Sequence, residues 1–154
     1  MILKFKKGLT LVEILVVIAI MSILVSIFLS SFTNLRGNQA IIKNTETVVA
    51  VLRQARNQTL SSKNSSVYGV HFSTSTITLF TGGIYSAESL TNQDFPFPAG
   101  DSVLTTTIVG GGKDVVFNRL TGETSHTGTV VISSPRLSLT KTVTIYKTGL
   151  VESQ

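Results

Sequence analysis

Glu13 is the side chain whose position most clearly requires a chemical explanation, because it is a carboxylate inside an apolar run. From Leu9 to Phe32 it is the sole ionisable side chain among 24 residues. An unpaired charge inside hydrocarbon costs a few kcal/mol, roughly 2.5 or more near a helix centre on insertion scales. An ionisable residue in such a segment is by default functional and has a partner.

The residues before Glu13 form a specific arrangement. The block that starts at Lys6 reads KKGLTLVE: basic residues, a glycine, then an apolar segment with its acid at the fifth place after that glycine. This block closely resembles the leader and mature N-terminus of type IV pilins and pseudopilins. The resemblance implies that a prepilin peptidase cuts between Gly8 and Leu9, methylates the new amine of Leu9, and releases a subunit for a helical filament.

The resemblance also implies a partner for Glu13. Cleavage after Gly8 would expose the α-amine of Leu9, and an opposite charge within reach offsets the desolvation cost of both groups. In the family, pairing between the acid of one subunit and the amine of its neighbour is taken to set the axial register during assembly. Glu13 is in the matching position, whereas Leu9 stands where many members have phenylalanine or methionine.

The apolar run is long enough to be a membrane helix. Its 24 residues would span roughly 36 Å as an α-helix, against a hydrocarbon core of about 30 Å. Lys4, Lys6 and Lys7 precede the run, so the positive-inside rule leaves this end in the cytoplasm and the rest of the chain outside. In a secretory signal peptide the cleavage site would follow the apolar region. An uncleaved signal anchor is the alternative interpretation.

The composition fits one folded domain behind this helix. The chain has 154 residues and a formal charge of +5; without the three lysines of residues 1–8, ten basic and eight acidic side chains leave +2. The apparent basicity therefore belongs mostly to the leader. Because the chain has no cysteine, it can form no disulfide, no thiolate metal site and no cysteine nucleophile.

Beyond the apolar run, the hydrophobic period changes from helical to extended. Between residues 39 and 60 one helix face carries Ile41, Thr45, Val48, Leu52 and Ala55. The SSKNSS segment at residues 61–66 breaks this pattern. Alternating, threonine- and valine-rich runs separated by glycines then predict short strands at residues 68–73, 76–79, 103–109, 115–117, 129–132 and 137–145.

These elements predict an α+β fold, with a long N-terminal helix packed on an antiparallel β-sheet or small β-sandwich. The expected division is a leader at residues 1–8, a transmembrane or filament-core helix at 9–32, its amphipathic continuation at 33–60 and a β-rich globular domain at 61–154. Residues 86–101 are expected to form a surface loop. The Gly110–Lys113 segment, GGGK, is expected to be a hairpin turn, since it lacks the remaining features of a phosphate-binding loop.

A second and more diffuse resemblance concerns the join of helix and sheet. The segment LRQARNQTLSSKNSSVYGVHF, with VVFNRLTGET and VTIYKTGLVE further on, is similar to H-type minor pilins and pseudopilins. It implies a minor subunit, in initiation or at the tip, of a type IV pilus, a type II secretion pseudopilus or a transformation system. The implied partners are the prepilin peptidase, the other pilins of the filament, the inner-membrane assembly platform and the membrane itself.

No arrangement of residues predicts catalysis, a cofactor or a metal site. His71 is expected to be a solvated strand residue and His126 a turn residue. Neither histidine has an acid at a sequence spacing that would indicate a catalytic or metal-binding pair. Glu88, Asp94 and Asp101 lack the regular spacing of oxygen ligands that a calcium loop requires.

Nucleic-acid binding is the alternative function. Some H-like minor pilins bind DNA through a basic, arginine-bearing C-terminal tail, whereas this chain ends in GLVESQ. The cations that remain for such a role are Arg53, Arg56 and Lys63 around the helix end, and Arg136, Lys141 and Lys147 on late strands. These cations are few and have few aromatic residues among them, so they are weak evidence for a surface that binds nucleic-acid phosphates. Arg53 and Arg56 are therefore interpreted first as a solvated helix face.

Overall fold

The computed structural model describes residues 10–97, 103–110, 112–134 and 138–154. The chain comprises two compact units, Met1–Arg36 and Gly37–Gln154. Helix α1, Leu11–Leu60, begins in the first unit and ends in the second. The second unit also holds a 3₁₀ turn, Lys63–Ser65, and the strands.

Helix α1 ends where the SSKNSS segment begins, as predicted. Ser62 has a left-handed backbone with φ of 49°, and Asn64 and Ser65 follow with φ of 51° and 54°. Three non-glycine residues with positive φ cannot continue a right-handed helix. The chain therefore turns here and enters the sheet at Tyr68, whose N–H donates to Oγ1 of Thr59 in the last turn of α1 at 2.9 Å.

Within the residues that the structure describes, the strands form two antiparallel sheets of four strands each. The first sheet has the order β3-β2-β1-β5 and the second has the order β4-β6-β7-β8. The strands are β1 Tyr68–Phe72, β2 Thr76–Thr81, β3 Gln93–Pro96, β4 Val103–Ile108, β5 Asp114–Val116, β6 Gly128–Ser133, β7 Thr140–Ile145 and β8 Val151–Ser153. The α+β prediction is thus confirmed.

One hydrophobic core joins α1 to both sheets. The predicted helix face is confirmed, because Ile41, Thr45, Val48, Leu52 and Ala55 are all at most 5% exposed. Val48, Leu52 and Ala55 form one cluster with alternate residues of the first sheet, such as Val70, Phe72, Ile77 and Leu79, and of the second, such as Val130, Ile132, Val143 and Ile145. Burial of each large apolar side chain contributes roughly 1.5–3 kcal/mol, so this face of α1 is held mainly by packing.

Two expectations for the connections are wrong. The segment expected to be a loop from Ser86 contains strand β3, which pairs with β2 at the edge of the first sheet. Pro96 lies at the end of this strand, and an edge strand tolerates a residue that has no N–H to donate. The Gly110–Lys113 segment does not close a hairpin, because β4 pairs with β6 in the second sheet whereas β5 pairs with β1 in the first.

Candidate functional site

The N-terminus of α1 positions Glu13 through Thr10. The carbonyl of Thr10 accepts from the N–H of Ile14, so Thr10 is the N-cap residue of a helix that starts at Leu11. The N–H of Glu13 donates to Oγ1 of Thr10 at 3.3 Å. This is one half of a capping box, which places threonine at the N-cap and glutamate three residues later. Thr10 was missed in the sequence analysis, although the spacing T-x-x-E is the signal for it.

The carboxylate of Glu13 is favourably placed at this helix end. It lies in the first turn of α1, where the exposed backbone N–H groups favour negative charge. Its predicted partner, the amine of Leu9, lies outside the described residues. Gly8 and the leader cations Lys4, Lys6 and Lys7 also lie outside the described residues. Of the predicted site, the structure therefore describes Glu13.

Apart from Glu13, Ser22 and Ser26, every side chain of the segment Leu11–Leu29 is apolar. Its mean hydropathy is 2.9, and it is the one candidate membrane span within the described part of the chain. Large side chains such as Leu11, Met21 and Phe28 are 60–75% exposed. Ser22 and Ser26 do not leave unsatisfied hydroxyl donors on this surface. Each hydroxyl donates to a carbonyl one turn back, on Ile18 and Ser22 respectively. So much contiguous apolar surface requires lipid or other helices around it.

The arginines offered as DNA contacts bind the protein's own backbone. Arg56 donates from Nε to the carbonyl of Gly122 at 3.1 Å and from Nη2 to the carbonyl of Thr148 at 3.4 Å. Arg53 donates from Nη2 to the carbonyl of Val151 at 3.4 Å. Arg56 therefore fastens α1 to the β5–β6 and β7–β8 connections, and Arg53 fastens it to the first residue of β8. Lys63 lies exposed in the 3₁₀ turn.

The expectation for His71 is wrong. Its side chain is only 17% exposed, its Nδ1 is bonded to a carboxylate oxygen of Asp114, and its ring stacks on Tyr85. Asp114 reaches His71 because β5 pairs with β1 at that position. The two residues are 43 positions apart in sequence, so no local pattern reveals the contact.

His126 lies in the loop before β6, with Oγ of Ser125 3.5 Å from its Nδ1. Ser125, His126 and Asp114 line one groove of 370 Å³, but Asp114 is bonded to the other histidine, His71. Asp94 accepts from Oγ1 of Thr78 at 2.6 Å. Asp101 and Arg136 lie outside the described residues, and within the described ranges no three His, Asp or Glu side chains group as metal ligands.

The described residues thus combine a long N-terminal helix, apolar over Leu11–Leu29, with two antiparallel sheets. Residues 3–29 match the family model described as the prokaryotic N-terminal methylation motif. This match supports the type IV pilin and pseudopilin family. It covers part of the first unit and no residue of the second unit, Gly37–Gln154, which we call the β-rich unit. No curated protein and no solved structure matches the chain.

Proposed function

We propose that this protein is a structural subunit of a type IV pilus or a type II secretion pseudopilus. It would be made as a prepilin, cut between Gly8 and Leu9, methylated on the amine of Leu9, and assembled through its N-terminal helix. The observation that carries the proposal is the methylation motif at residues 3–29, whose larger part is the exposed apolar helix segment Leu11–Leu29. The family is one of filament components, and enzymatic chemistry is not its role.

Assembly would depend on a charge pair between Glu13 of one subunit and the Leu9 amine of the next. Both groups lose hydration in an apolar surrounding, and each is stabilised by the other. Thr10 supports this role because its hydroxyl accepts from the backbone of Glu13. The backbone at Glu13, and thus its place in the first turn of α1, is therefore stabilised by the residue three positions earlier.

The proposed topology follows from the leader cations. Lys4, Lys6 and Lys7 would keep the N-terminus in the cytoplasm, with one pass through the cytoplasmic (inner) membrane and the β-rich unit outside. The proposed segments are the leader at residues 1–8, the membrane and filament-core helix at 9–32, its continuation at 33–60 and the β-rich domain at 61–154. The prepilin peptidase, the assembly platform and other pilins are the proposed partners. A minor role in initiation or at the tip rests on the similarity to H-type subunits.

A DNA-binding role has less support. Arg53 and Arg56 each donate to backbone carbonyls, which leaves fewer donors for phosphate than the sequence suggests. A mobility-shift titration of the purified full chain against duplex DNA separates the two functions. A structural subunit binds weakly and is released by modest salt, as a non-specific polycation is. Tight binding at physiological salt that is lost in Lys63→Ala would favour the DNA-uptake role.

The N-terminus of the native protein and its recovery with filaments test the proposed function. The mature chain should begin at Leu9 and carry one methyl group, as read by mass spectrometry of the purified subunit. It should also be recovered with filaments sheared from cells or with overproduced pseudopili. A full-length chain that begins at Met1 and remains in the membrane fraction would contradict the assignment.

A further inference from the structure

The first sheet has a covered face opposite the core, which the proposed function leaves unexplained. Strand β2 is buried at four consecutive residues, Ile77 to Phe80. Successive side chains of a strand point to opposite faces, so both faces of β2 are covered. Ile77 and Leu79 belong to the core, whereas Thr78 and Phe80 lie on the other face, at 4% and 1% exposure.

Tyr85, in the β2–β3 loop at residues 82–92, contacts this second face. Its ring stacks on His71 with centroids 3.8 Å apart and an angle of 6° between the planes. It also meets Phe80 edge-on, with centroids 5.6 Å apart. Such aromatic contacts contribute beyond the area that they bury. Tyr85 therefore ties the loop to β1 and β2 at once.

The loop itself is an internally bonded segment. The N–H of Ser89 and the Nδ2 of Asn92 both donate to the carbonyl of Ser86, and the N–H of Asn92 donates to the carbonyl of Ser89. Ile84 and Leu90, at 86% and 103% exposure, project from it. Because these bonds lie within the loop, they fix its shape but do not attach it to the sheet.

His71, on which Tyr85 stacks, is fixed in turn by Asp114. The two residues are direct partners in the β1–β5 register, and the carboxylate of Asp114 binds Nδ1 of the imidazole. This bond restricts rotation of the His71 ring and thus sets the plane against which Tyr85 stacks. A continuous set of contacts leads from β5 through β1 to the β2–β3 loop.

We propose that Asp114, His71 and Tyr85 form a conformational latch that holds the β2–β3 loop against the first sheet. The latch keeps Ile84 and Leu90 in a fixed position, and its release frees the loop that carries them. Asp114 acts on the loop through the orientation of His71. This inference concerns the β-rich unit alone and does not depend on cleavage, methylation or filament assembly.

Hydrogen–deuterium exchange of the full chain in detergent micelles tests the latch. Tyr85→Leu, which removes the stacking ring, should raise amide exchange in residues 82–92 roughly two- to tenfold. Tyr85→Phe keeps the ring and should exchange as the wild type does. Asp114→Asn should raise exchange of the same loop by a smaller factor. The combined Asp114→Asn and Tyr85→Leu variant should match Tyr85→Leu alone, because Asp114 acts through the stacked pair.

Asp94→Asn is the matched control, since Asp94 is a carboxylate on the same face whose side chain accepts from Thr78. It should leave exchange of the loop unchanged. Unchanged exchange in residues 48–55 of α1 would show that each variant has kept its core. Loop exchange at the wild-type level in Tyr85→Leu would overturn the latch. Loop exchange at the wild-type level in Asp114→Asn, or additive effects of the two substitutions, would overturn the coupling through His71.

Discussion

Phe80 packs so closely against Gly69 that no other residue fits at position 69 without movement. A Cβ added to Gly69 would lie 2.5 Å from Cζ and 2.9 Å from Cε1 of Phe80, and 3.0 Å from the carbonyl oxygen of Val115. Gly69 and Phe80 are direct partners in the β1–β2 register. The aromatic ring thus occupies the space that a side chain on β1 would take, and it is 1% exposed.

Gly69→Ala should therefore destabilise the β-rich unit. The added methyl must displace a buried ring or a backbone carbonyl, and overpacking of this kind costs about 1–3 kcal/mol. The measurement is thermal or denaturant unfolding of the full chain in detergent, followed by circular dichroism. Gly83→Ala is the control, because nothing lies within 4 Å of a Cβ added there. Equal midpoints for the two variants would contradict the packing argument.

Arg56→Lys should be destabilising although it preserves the charge. The guanidinium of Arg56 donates from two nitrogens to the carbonyls of Gly122 and Thr148, and one ammonium cannot reproduce that geometry. Loss of a charged donor from these carbonyls should cost about 1–3 kcal/mol. Unfolding midpoints measure this loss. Arg53→Lys removes a single bond of 3.4 Å made by an exposed side chain and should cost less. A larger loss for Arg53→Lys than for Arg56→Lys would refute this role of the Arg56 guanidinium.

The helical half of this fold was predictable because its signals are local. The apolar run, the face from Ile41 to Ala55 and the SSKNSS break depend on residues a few positions apart, and the structure places them as expected. The division into two sheets was not predictable. The Gly110–Lys113 segment is compatible with a hairpin or with a crossover, and the pairing of β4 with β6 decides between them.

The same distinction applies to the candidate site. Glu13 is conspicuous because it is a charge among apolar neighbours, and Thr10 could have been found from the capping-box spacing. The contact between His71 and Asp114 depends on the pairing of β1 with β5, which no short segment encodes. The sequence predicts that Arg53 and Arg56 form a solvated helix face. It does not reveal the carbonyls that they bind, because these belong to residues 66 to 98 positions away.

Tyr146 should titrate at higher pH than an ordinary tyrosine. Its hydroxyl donates to Oε2 of Glu152 at 3.0 Å, and this hydrogen bond, followed by the negative charge of Glu152, raises the pKa of Tyr146 above 10.0. The raised pKa means that the contact stabilises the fold below pH 10.0 and that the stabilisation is lost as the pH rises through the folded-state value. Tyrosinate absorbance measures the titration. Glu152→Gln should shift the midpoint of Tyr146 down, Tyr146→Phe identifies its signal, and an unshifted midpoint would contradict the assignment.

Gly8→Val should block processing. The glycine before the proposed cleavage site has to fit the peptidase, and a β-branched side chain adds bulk at the bond to be cut. The expected result is a precursor of full length in the membrane fraction, detected by mass spectrometry. Lys63→Ala, a change far from the leader, is the control and should be processed normally. A mature wild-type chain that begins at any residue other than Leu9 would refute this cleavage site.

Glu13→Gln should separate assembly from membrane insertion. The substitution keeps the size and hydrogen-bonding capacity of the side chain and removes its charge. The Leu9 amine of the neighbouring subunit is then left unpaired in an apolar setting, a loss on the order of 3 kcal/mol or more for a buried pair broken on one side. Insertion should be unharmed or slightly improved, because an ionisable group has left the helix. Cleavage should persist, since Gly8 and the leader lysines are intact.

The expected phenotype of Glu13→Gln is therefore a processed, membrane-embedded subunit that enters filaments poorly. The measurement is the fraction of mature protein in sheared filaments at matched expression, with Glu46→Gln as control. Glu46 is an exposed acid further along the same helix and lies far from the Leu9 amine in sequence, so its neutralisation should leave incorporation unchanged. Thr10→Ala tests the capping residue and should lower incorporation less than Glu13→Gln, because it loosens the helix start but keeps the charge. Incorporation of Glu13→Gln at the wild-type level would defeat the charge-pairing mechanism, although the family assignment would stand.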